Sequence, residues 1–514
     1  MGLLLQLYEL RWLLATAGLA VYITNKIRAY NRLKAFKGPF STGWSEAWHA
    51  WAILSLKSHL KYKDVIDKYG PIARVGPNDL LTSSPELLAH MSAVRSPYTR
   101  GKWYHRATRH QPGIDHLFSE LDEDKHTRRR AQLAPGFSGK ENPELEASID
   151  THVSQLIHLI RSKHLSTTRK SKPMDLARKV QFLTLDVISE IGFGQPFGDL
   201  VADDDVHGYI AAGEIGLLVI TITMALGLTP LMQIPWIASR LGPSEKDTGG
   251  FGHMVANARA LIKERLKRDT DTRSDMLASF VRHGLSEQEL VNESTLQIVA
   301  GSDTSAAALR AIMLYVITHP RVYVKLQAEV DAAAPLRNLV PSGEVITDAK
   351  ARDLPYLNAV IKEGLRIHPP VTDQLPKRVP DGGETVTVEG KQVYLPGGIF
   401  VNQAAWPLHM SKTVFGEDAD EFRPERWLLE TDREKLAAMN RTHELIFGWG
   451  RYQCLGKPIA QMEIGKAVFE LMRNFDWCLA KPENPWKEAN YIGLFTHSDM
   501  WVLVTDRVDG GSGH

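Results

Sequence analysis

The sequence predicts a mainly α-helical chain with small β-sheets, an α+β class, behind an N-terminal membrane anchor. Three observations lead there. Between residues 82 and 385 the apolar residues recur mostly with helical periodicity. Only two short stretches, 72–82 and 385–395, read as strand–turn–strand. One helical pattern is far longer than the rest: it starts at a capping box of Ser286 and Glu289 and stops at Pro320. It covers about 34 residues, roughly 50 Å, enough to cross a whole domain.

The N-terminus comes first. Leu3 to Thr24 is largely apolar, broken by Gln6, Glu9 and Arg11. As a helix it would be roughly 33 Å long, against a bilayer core of about 30 Å. Lys26, Arg28, Arg32, Lys34 and Lys37 follow, and such charges keep the rest of the chain on the cytosolic side. Residues 1–28 are therefore read as an uncleaved single-pass anchor, with a helix lying in the membrane surface as the alternative. After Gly38-Pro39 the chain turns globular. His59 to Tyr69 reads as a helix ended by Gly70-Pro71. The apolar segment 215–236 is interrupted by Gly227 and Pro230, so it reads as a greasy lid or membrane-dipping surface rather than a second span.

Composition narrows the function. The 514 residues are 43% hydrophobic and 24% charged, with a formal net charge of +1. These are globular values, and the charge predicts no nucleic-acid partner. The two cysteines, Cys454 and Cys478, supply neither a disulfide framework nor the four thiolates of an ordinary iron–sulfur cluster.

Three motifs carry chemistry. Cys454 lies in "FGWGRYQCLGK" (447–457), where Gly448, Gly450 and Gly456 free the backbone to aim N–H groups at sulfur. Phe447 and Trp449 offer an apolar floor for a flat cofactor. Glu363 and Arg366 in "KEGLR" share a helix face, and Arg426 in "FRPERW" is placed to complete a buried Glu–Arg–Arg lock. In the middle of the long helix, "AGSDTS" (300–305) puts small and polar residues where a through-core helix should be aliphatic. Thr304 there can bond the Ala300 carbonyl and open the helix, while Asp303 and Thr304 side by side suit proton relay.

Together these motifs resemble the cytochrome P-450 family of haem-thiolate monooxygenases, in the family's order. "RYQCLGK" is similar to fungal members that modify secondary metabolites. The resemblance implies the cytochrome P-450 fold over 38–505, with the long helix on the distal side of haem b (iron protoporphyrin IX), and a flexible tail at 506–514. It implies Cys454 as the axial thiolate, with Phe447, Gly448, Gly456 and Ala300 against the haem. It implies propionate binding by His126 and Arg130 of "HTRRRAQLAPGFS", His standing where the family usually has Trp. Tyr452 stands where the family usually has Arg, so Arg451, Tyr452 and Arg378 are the further propionate candidates. Asp303 and Thr304 become the catalytic pair. The substrate is expected to be an apolar small molecule, oxidised with dioxygen. Its pocket is expected from 100–118, 208–236, the first half of the long helix, 369–375 and 493–498. No flavin or nicotinamide module fits the remaining chain. A separate NADPH-dependent reductase is expected to dock on Lys125, Arg128, Arg129 and Lys457, at the endoplasmic reticulum membrane. The alternatives are a same-fold haem enzyme with other chemistry, a non-enzymatic haem-binding protein, and a cysteine-nucleophile hydrolase at Cys454.

Overall fold

The computed structural model describes residues 10–507, apart from 110, 248–249, 268–272 and 334–343. Helix α1 (Arg11–Arg32) has no buried residue. Its C-terminal half is tied to the body: Tyr30 stacks on Trp44, and Lys26 Nζ donates to the Trp44 carbonyl at 2.8 Å. Its N-terminal half leaves Trp12, Leu13, Leu19 and Val21 exposed. Among the described residues no helix is long and apolar enough to cross a membrane. The expected segment Leu3–Thr24 lies partly outside those residues.

Helix α2 (Ser58–Tyr69) ends at Gly70, whose φ of +100° only glycine adopts easily. Helix α3 (Glu123–Leu133) is capped by Asp122. Helix α4 (Leu176–Phe193) is buried along almost its whole length and lies along the central helix. Helix α5 (Tyr209–Ala225) stops before Gly227 at φ +68°, so the apolar 215–236 segment is one helix and two short turns. Many of its large side chains face outward, Ile215 being 66% and Trp236 62% exposed. Helix α6 (Gly250–Leu266) packs on α5 and on the central helix.

That central helix, α7, spans Glu287–Thr318, 32 residues. Both capping-box bonds form: Glu289 N–H donates to Ser286 Oγ, and Ser286 N–H donates to Glu289 Oε2 at 2.8 Å. Gly301 lies where α4 crosses, and a Cβ there would sit 2.8 Å from Ile188 Cγ1. Its smallness therefore serves helix packing. Helix α8 (Pro355–Ile367) approaches α7 through Gly364, where a Cβ would sit 2.5 Å from Ile312 Cγ1. Helix α9 (Lys457–Asn474) completes the core, its Ile464, Val468 and Leu471 sharing one cluster with Ile298, Leu309 and Ile312 of α7.

The strands are short. In chain order they are β1 (Ile72–Arg74), β2 (Asp79–Thr82), β3 (Thr99–Arg100), β4 (Met174–Asp175), β5 (Asp373–Arg378) and β6 (Glu384–Val388). Then come β7 (Lys391–Leu395), β8 (Phe400–Ala404), β9 (Phe475–Leu479), β10 (Lys487–Tyr491), β11 (Leu494–Ser498) and β12 (Trp501–Asp506). The largest sheet has the order β1-β2-β8-β5-β3, antiparallel except where β2 meets β8. The order β4-β12-β9 forms a second sheet, and β6-β7 and β10-β11 are hairpins. Both stretches expected as strand–turn–strand are hairpins, β1-β2 and β6-β7.

The segments expected to wall a pocket do converge. Helix α5 packs on the Trp103–Thr108 turn and on β10, β11 packs on α7, and Val371 bridges Leu494.

Candidate active site

The Cys454 loop is built by two glycines. Gly448 (φ +71°) and Gly450 (φ +57°) are left-handed, and a Cβ at Gly450 would sit 2.2 Å from the Ser92 carbonyl oxygen. Gly456 is different: at φ −78° it is an ordinary N-cap, the position before α9. Cys454 N–H donates to the Phe447 carbonyl at 2.7 Å, which closes the loop. The backbone N–H groups of Gly456 and Lys457 point at the Cys454 sulfur, and a helix N-terminus favours a thiolate there. Burial nevertheless pushes the thiol up. Cys454 is accessible and yet dominated by desolvation, which reconcile if the sulfur faces an internal cleft rather than bulk water. Cys478 sits on the outer side of β9, with neither glycines nor a helix start beside it.

Helix α7 also carries an accessible stretch. It is mostly buried over 290–298 and again over 305–314, but Ala300 is accessible and Gly301 and Thr304 are half-buried. Thr304 Oγ1 donates to the Ala300 carbonyl at 2.8 Å, as its place in a helix predicts. Asp303 does not turn toward Thr304. Its carboxylate accepts from Gln181 Nε2 of α4 at 2.8 Å, and Gln181 in turn accepts from Arg310 at 2.6 Å. Burial raises the Asp303 pKa, with Arg310 and Gln181 opposing. Consecutive helical residues point about 100° apart, so acid and alcohol relay a proton only after Asp303 leaves Gln181.

Beside the Cys loop lies a concentration of positive charge. His126 is 1% exposed, and neither ring nitrogen has a partner among the described residues. Arg100, Arg130, Lys377 and Arg451 all repel its charged form, and burial with these cations lowers its pKa to about 3. Burial likewise takes Lys377 well below the usual lysine range, and its Nζ rests 3.1 Å from the Tyr452 ring centroid. Glu123 faces Arg100, Lys377 and Arg451 of these cations; it accepts from the Tyr452 hydroxyl at 2.5 Å and pairs with Arg451 at 3.5 Å. The Nε atoms of Arg100 and Arg451 are buried without partners among the described residues.

Arg378 does not join this group. It pairs with Asp381 on the surface, while its neighbour Lys377 points inward. The cause is a bulge: the β5–β8 register shifts between Gln374 and Lys377, and Gln374 and Leu375 take φ of +69° and +51°. Sequence reading also missed Arg100, carried in on the two-residue strand β3. No local signal marked it.

The third motif forms a closed ion network. Glu363 Oε1 accepts from Arg366 Nη2 at 2.8 Å and Arg426 Nε at 2.9 Å, and Oε2 accepts from Trp427 Nε1 at 2.9 Å. Arg366 spends its remaining donors on the carbonyls of His409, Ala419 and Glu421. Of the expected reductase face, Lys125 and Arg128 are exposed, whereas Arg129 is held by Glu289 and Glu293 and Lys457 by Glu444.

The family model for cytochrome P-450 matches residues 39–500. The chain belongs to the cytochrome P-450 family. It is 39% identical over 507 residues to the cytochrome P-450 monooxygenase ABA1 of Pyricularia oryzae, covering 97% of each chain. It is 37% identical to the cytochrome P-450 monooxygenase aba1 of Botryotinia fuckeliana, over 91% of this chain and 90% of the relative. With the cytochrome P-450 monooxygenase abl1 of Leptosphaeria maculans the identity is 33%, over 94% and 86%. Membership makes the chain a haem-thiolate monooxygenase that needs dioxygen and a redox partner. The residues present fit that cofactor. A surplus of buried cations and one imidazole N–H with no partner among the described residues suit the propionates of a haem, and a thiol at a helix start suits its iron.

Proposed function

We propose that this cytochrome P-450 inserts one oxygen atom into an apolar small molecule, in fungal secondary metabolism and at the endoplasmic reticulum membrane. The observation that carries the site assignment is the Cys454 thiol at the start of α9, accessible inside the fold with two N–H groups aimed at it. Haem b, which the Cys454 thiolate would hold, would supply dioxygen activation, in which two electrons from the reductase and two protons accompany transfer of one oxygen atom to substrate and release of the other as water. The chain's residues do the rest. Gly456 and Lys457 stabilise charge on sulfur, and Phe447 would supply an apolar surface beside it. His126, Arg130, Tyr452, Arg451, Lys377 and Arg100 would hold the propionates. Thr304 holds a proton at Oγ1 on the cleft side, and Asp303 brings protons from the α4 side by swinging off Gln181. The apolar walls around Val371, Leu494 and α5 select a greasy substrate. A separate NADPH-dependent reductase delivers electrons, with exposed Lys125 and Arg128 on its docking face.

Attachment to the membrane is supported by the exposed apolar half of α1, the charges that follow it and the outward apolar side chains of 215–236. Sedimentation of a chain lacking residues 1–28 tests it; full retention in the membrane pellet moves the attachment to 215–236. The fungal setting is supported by relatives from Pyricularia, Botryotinia and Leptosphaeria. Metabolite profiling with and without the gene tests it.

The haem assignment is tested with carbon monoxide. Cys454→Ala should abolish the thiolate-type reduced carbon-monoxide spectrum and turnover, and Cys478→Ala should leave both intact. A thiolate-type spectrum in Cys454→Ala would end the assignment. Thr304→Ala should retain that spectrum but divert reducing equivalents from product to peroxide. A tenfold loss in the productive step corresponds to about 1.4 kcal/mol, the size of a hydrogen bond to a charged oxygen. An unchanged peroxide-to-product ratio would return Thr304 to a packing role.

A further inference from the structure

Away from the Cys454 site, three elements bring two imidazoles and a carboxylate to one point. Glu488 of β10 and His497 of β11 are directly opposed cross-strand partners. His368, the residue that ends α8, reaches them from the side. His368 Nε2 lies 3.0 Å from His497 Nε2 and 3.1 Å from Glu488 Oε2, and His497 Nε2 lies 3.6 Å from Glu488 Oε2. A fourth donor waits nearby: His59 Nε2 of α2 is 3.7 Å from Glu488 Oε1, and His59 Nδ1 is buried without a partner among the described residues.

Hydrogen bonding alone satisfies this triangle poorly. If both Nε2 atoms carried hydrogen, two N–H groups would confront each other at 3.0 Å. If only one does, it can serve either the other imidazole or the carboxylate, and the remaining lone pairs face each other unshielded. A cation between them resolves the conflict. Two donors each about 2.1 Å from a tetrahedral zinc ion stand about 3.4 Å apart, close to the three spacings seen. The rings are also held in place beforehand. His497 is stacked on Trp486 and His368 on Phe495, each with centroids 4.0 Å apart. A cavity of about 790 Å³ opens on the cluster, lined by His59, His368 and Glu488 among others, and it gives an ion an entry path.

We propose that His368, Glu488 and His497, with His59 beside them, bind one divalent transition-metal ion of the zinc class, using two imidazoles and one carboxylate. The ion ties the β10–β11 hairpin to the end of α8. That hairpin carries Leu494 against Val371, and Gly493 accepts from Thr372 N–H at 2.7 Å, so the ion also sets one wall of the substrate cleft. The role is structural and independent of the haem assignment, because no ligand lies in the Cys454 loop or in the cleft-facing stretch of α7.

The test uses zinc, which is distinguishable from haem iron by elemental analysis. Tag-free full-length holoprotein is loaded with zinc chloride, passed through gel filtration and assayed for zinc per chain. The expected result is one zinc per wild-type chain, a rise in melting temperature with zinc, and reversal by a chelator. Glu488→Gln and His497→Gln should each weaken zinc binding by more than the 10–100-fold lost when a mere outer-shell partner is removed. Both variants are checked for the thiolate-type carbon-monoxide spectrum, which should survive. If either variant fails to fold, the wild-type zinc content and thermal shift decide by themselves. A wild-type chain that retains no more zinc than Glu488→Gln, or none after gel filtration, overturns the proposal and leaves a hydrogen-bonded histidine pair.

Discussion

The Glu363 network and the His126 cluster are both buried gatherings of charge, and they are built on opposite rules. Around Glu363 every donor is answered: two guanidiniums, an indole and the Arg423 N–H converge on one carboxylate, and the spare guanidinium donors meet carbonyls. Around His126, Arg100, Lys377 and Arg451 lie near Glu123 while Arg130 lies by the Cys454 thiol, and both His126 ring nitrogens and the Nε atoms of Arg100 and Arg451 have no partner among the described residues. A closed network holds the fold together. An open one stores electrostatic demand that an anionic ligand can meet, because an uncompensated buried charge costs several kcal/mol.

The contrast breaks most violently at Glu363. Glu363→Gln leaves Arg366 and Arg426 buried with one partner neutralised, at a cost of about 3–5 kcal/mol. Against a typical total of about 5–15 kcal/mol, most chains should fail to accumulate in soluble form. Soluble yield and the melting temperature measure this, and a wild-type melting temperature would mean that the network is dispensable.

The open cluster should respond in the reverse sense. Lys377→Met and Arg451→Met remove cations that lack full compensation, so the haem-free chain should be no less stable. Haem, however, should leave faster by about 10–100-fold, as expected for a charge-assisted hydrogen bond of about 1.5–3 kcal/mol. Haem transfer to an acceptor globin measures the rate. A lower melting temperature with an unchanged transfer rate would make the cluster structural and erase the distinction.

The last effect is spread over a pH window and is small at any pH near neutrality. The folded pKa of His126 is about 3, against 6.5 for the free side chain. Above pH 6.5 the ring is neutral in both states. As the pH falls below 6.5 the unfolded chain takes up the proton first, so folding loses stability steadily until about pH 3, where the folded state titrates too. The loss is at most about 1.4 kcal/mol per pH unit. His126→Trp, which restores the residue usual in the family, should flatten the fall in melting temperature of the haem-free chain over that window. Parallel curves for the two proteins would show that His126 does not titrate this way.

Much of this was legible in the chain itself where the cause is local. Ser286 and Glu289 are three residues apart and cap α7 as read. Gly448 and Gly450 take left-handed backbone because nothing else does so cheaply. Glu363 and Arg366, spaced i and i+3, share a face by helix geometry alone. Other features had no local trace. Lys377 and Arg378 look equivalent in "LPKRVP", and only the bulge against β8 decides which one enters the protein. Arg100 belongs to a two-residue strand that β5 holds in place. Asp303 faces Gln181 because α4 crosses α7 at Gly301, and that crossing separates it from Thr304.

By itself, then, the sequence determined the helical class, the long central helix, the glycine loop that presents Cys454 and the paired arginines around one glutamate. Each follows from residues within a few positions of one another, where backbone sterics and helix periodicity act directly. Only the tertiary structure decided which cations surround His126, which way the Asp303 carboxylate points, and that His368, Glu488 and His497 meet. Those outcomes depend on strand register and helix crossings among segments up to hundreds of residues apart, and packing over such separations is settled by the whole core rather than by any one stretch of chain.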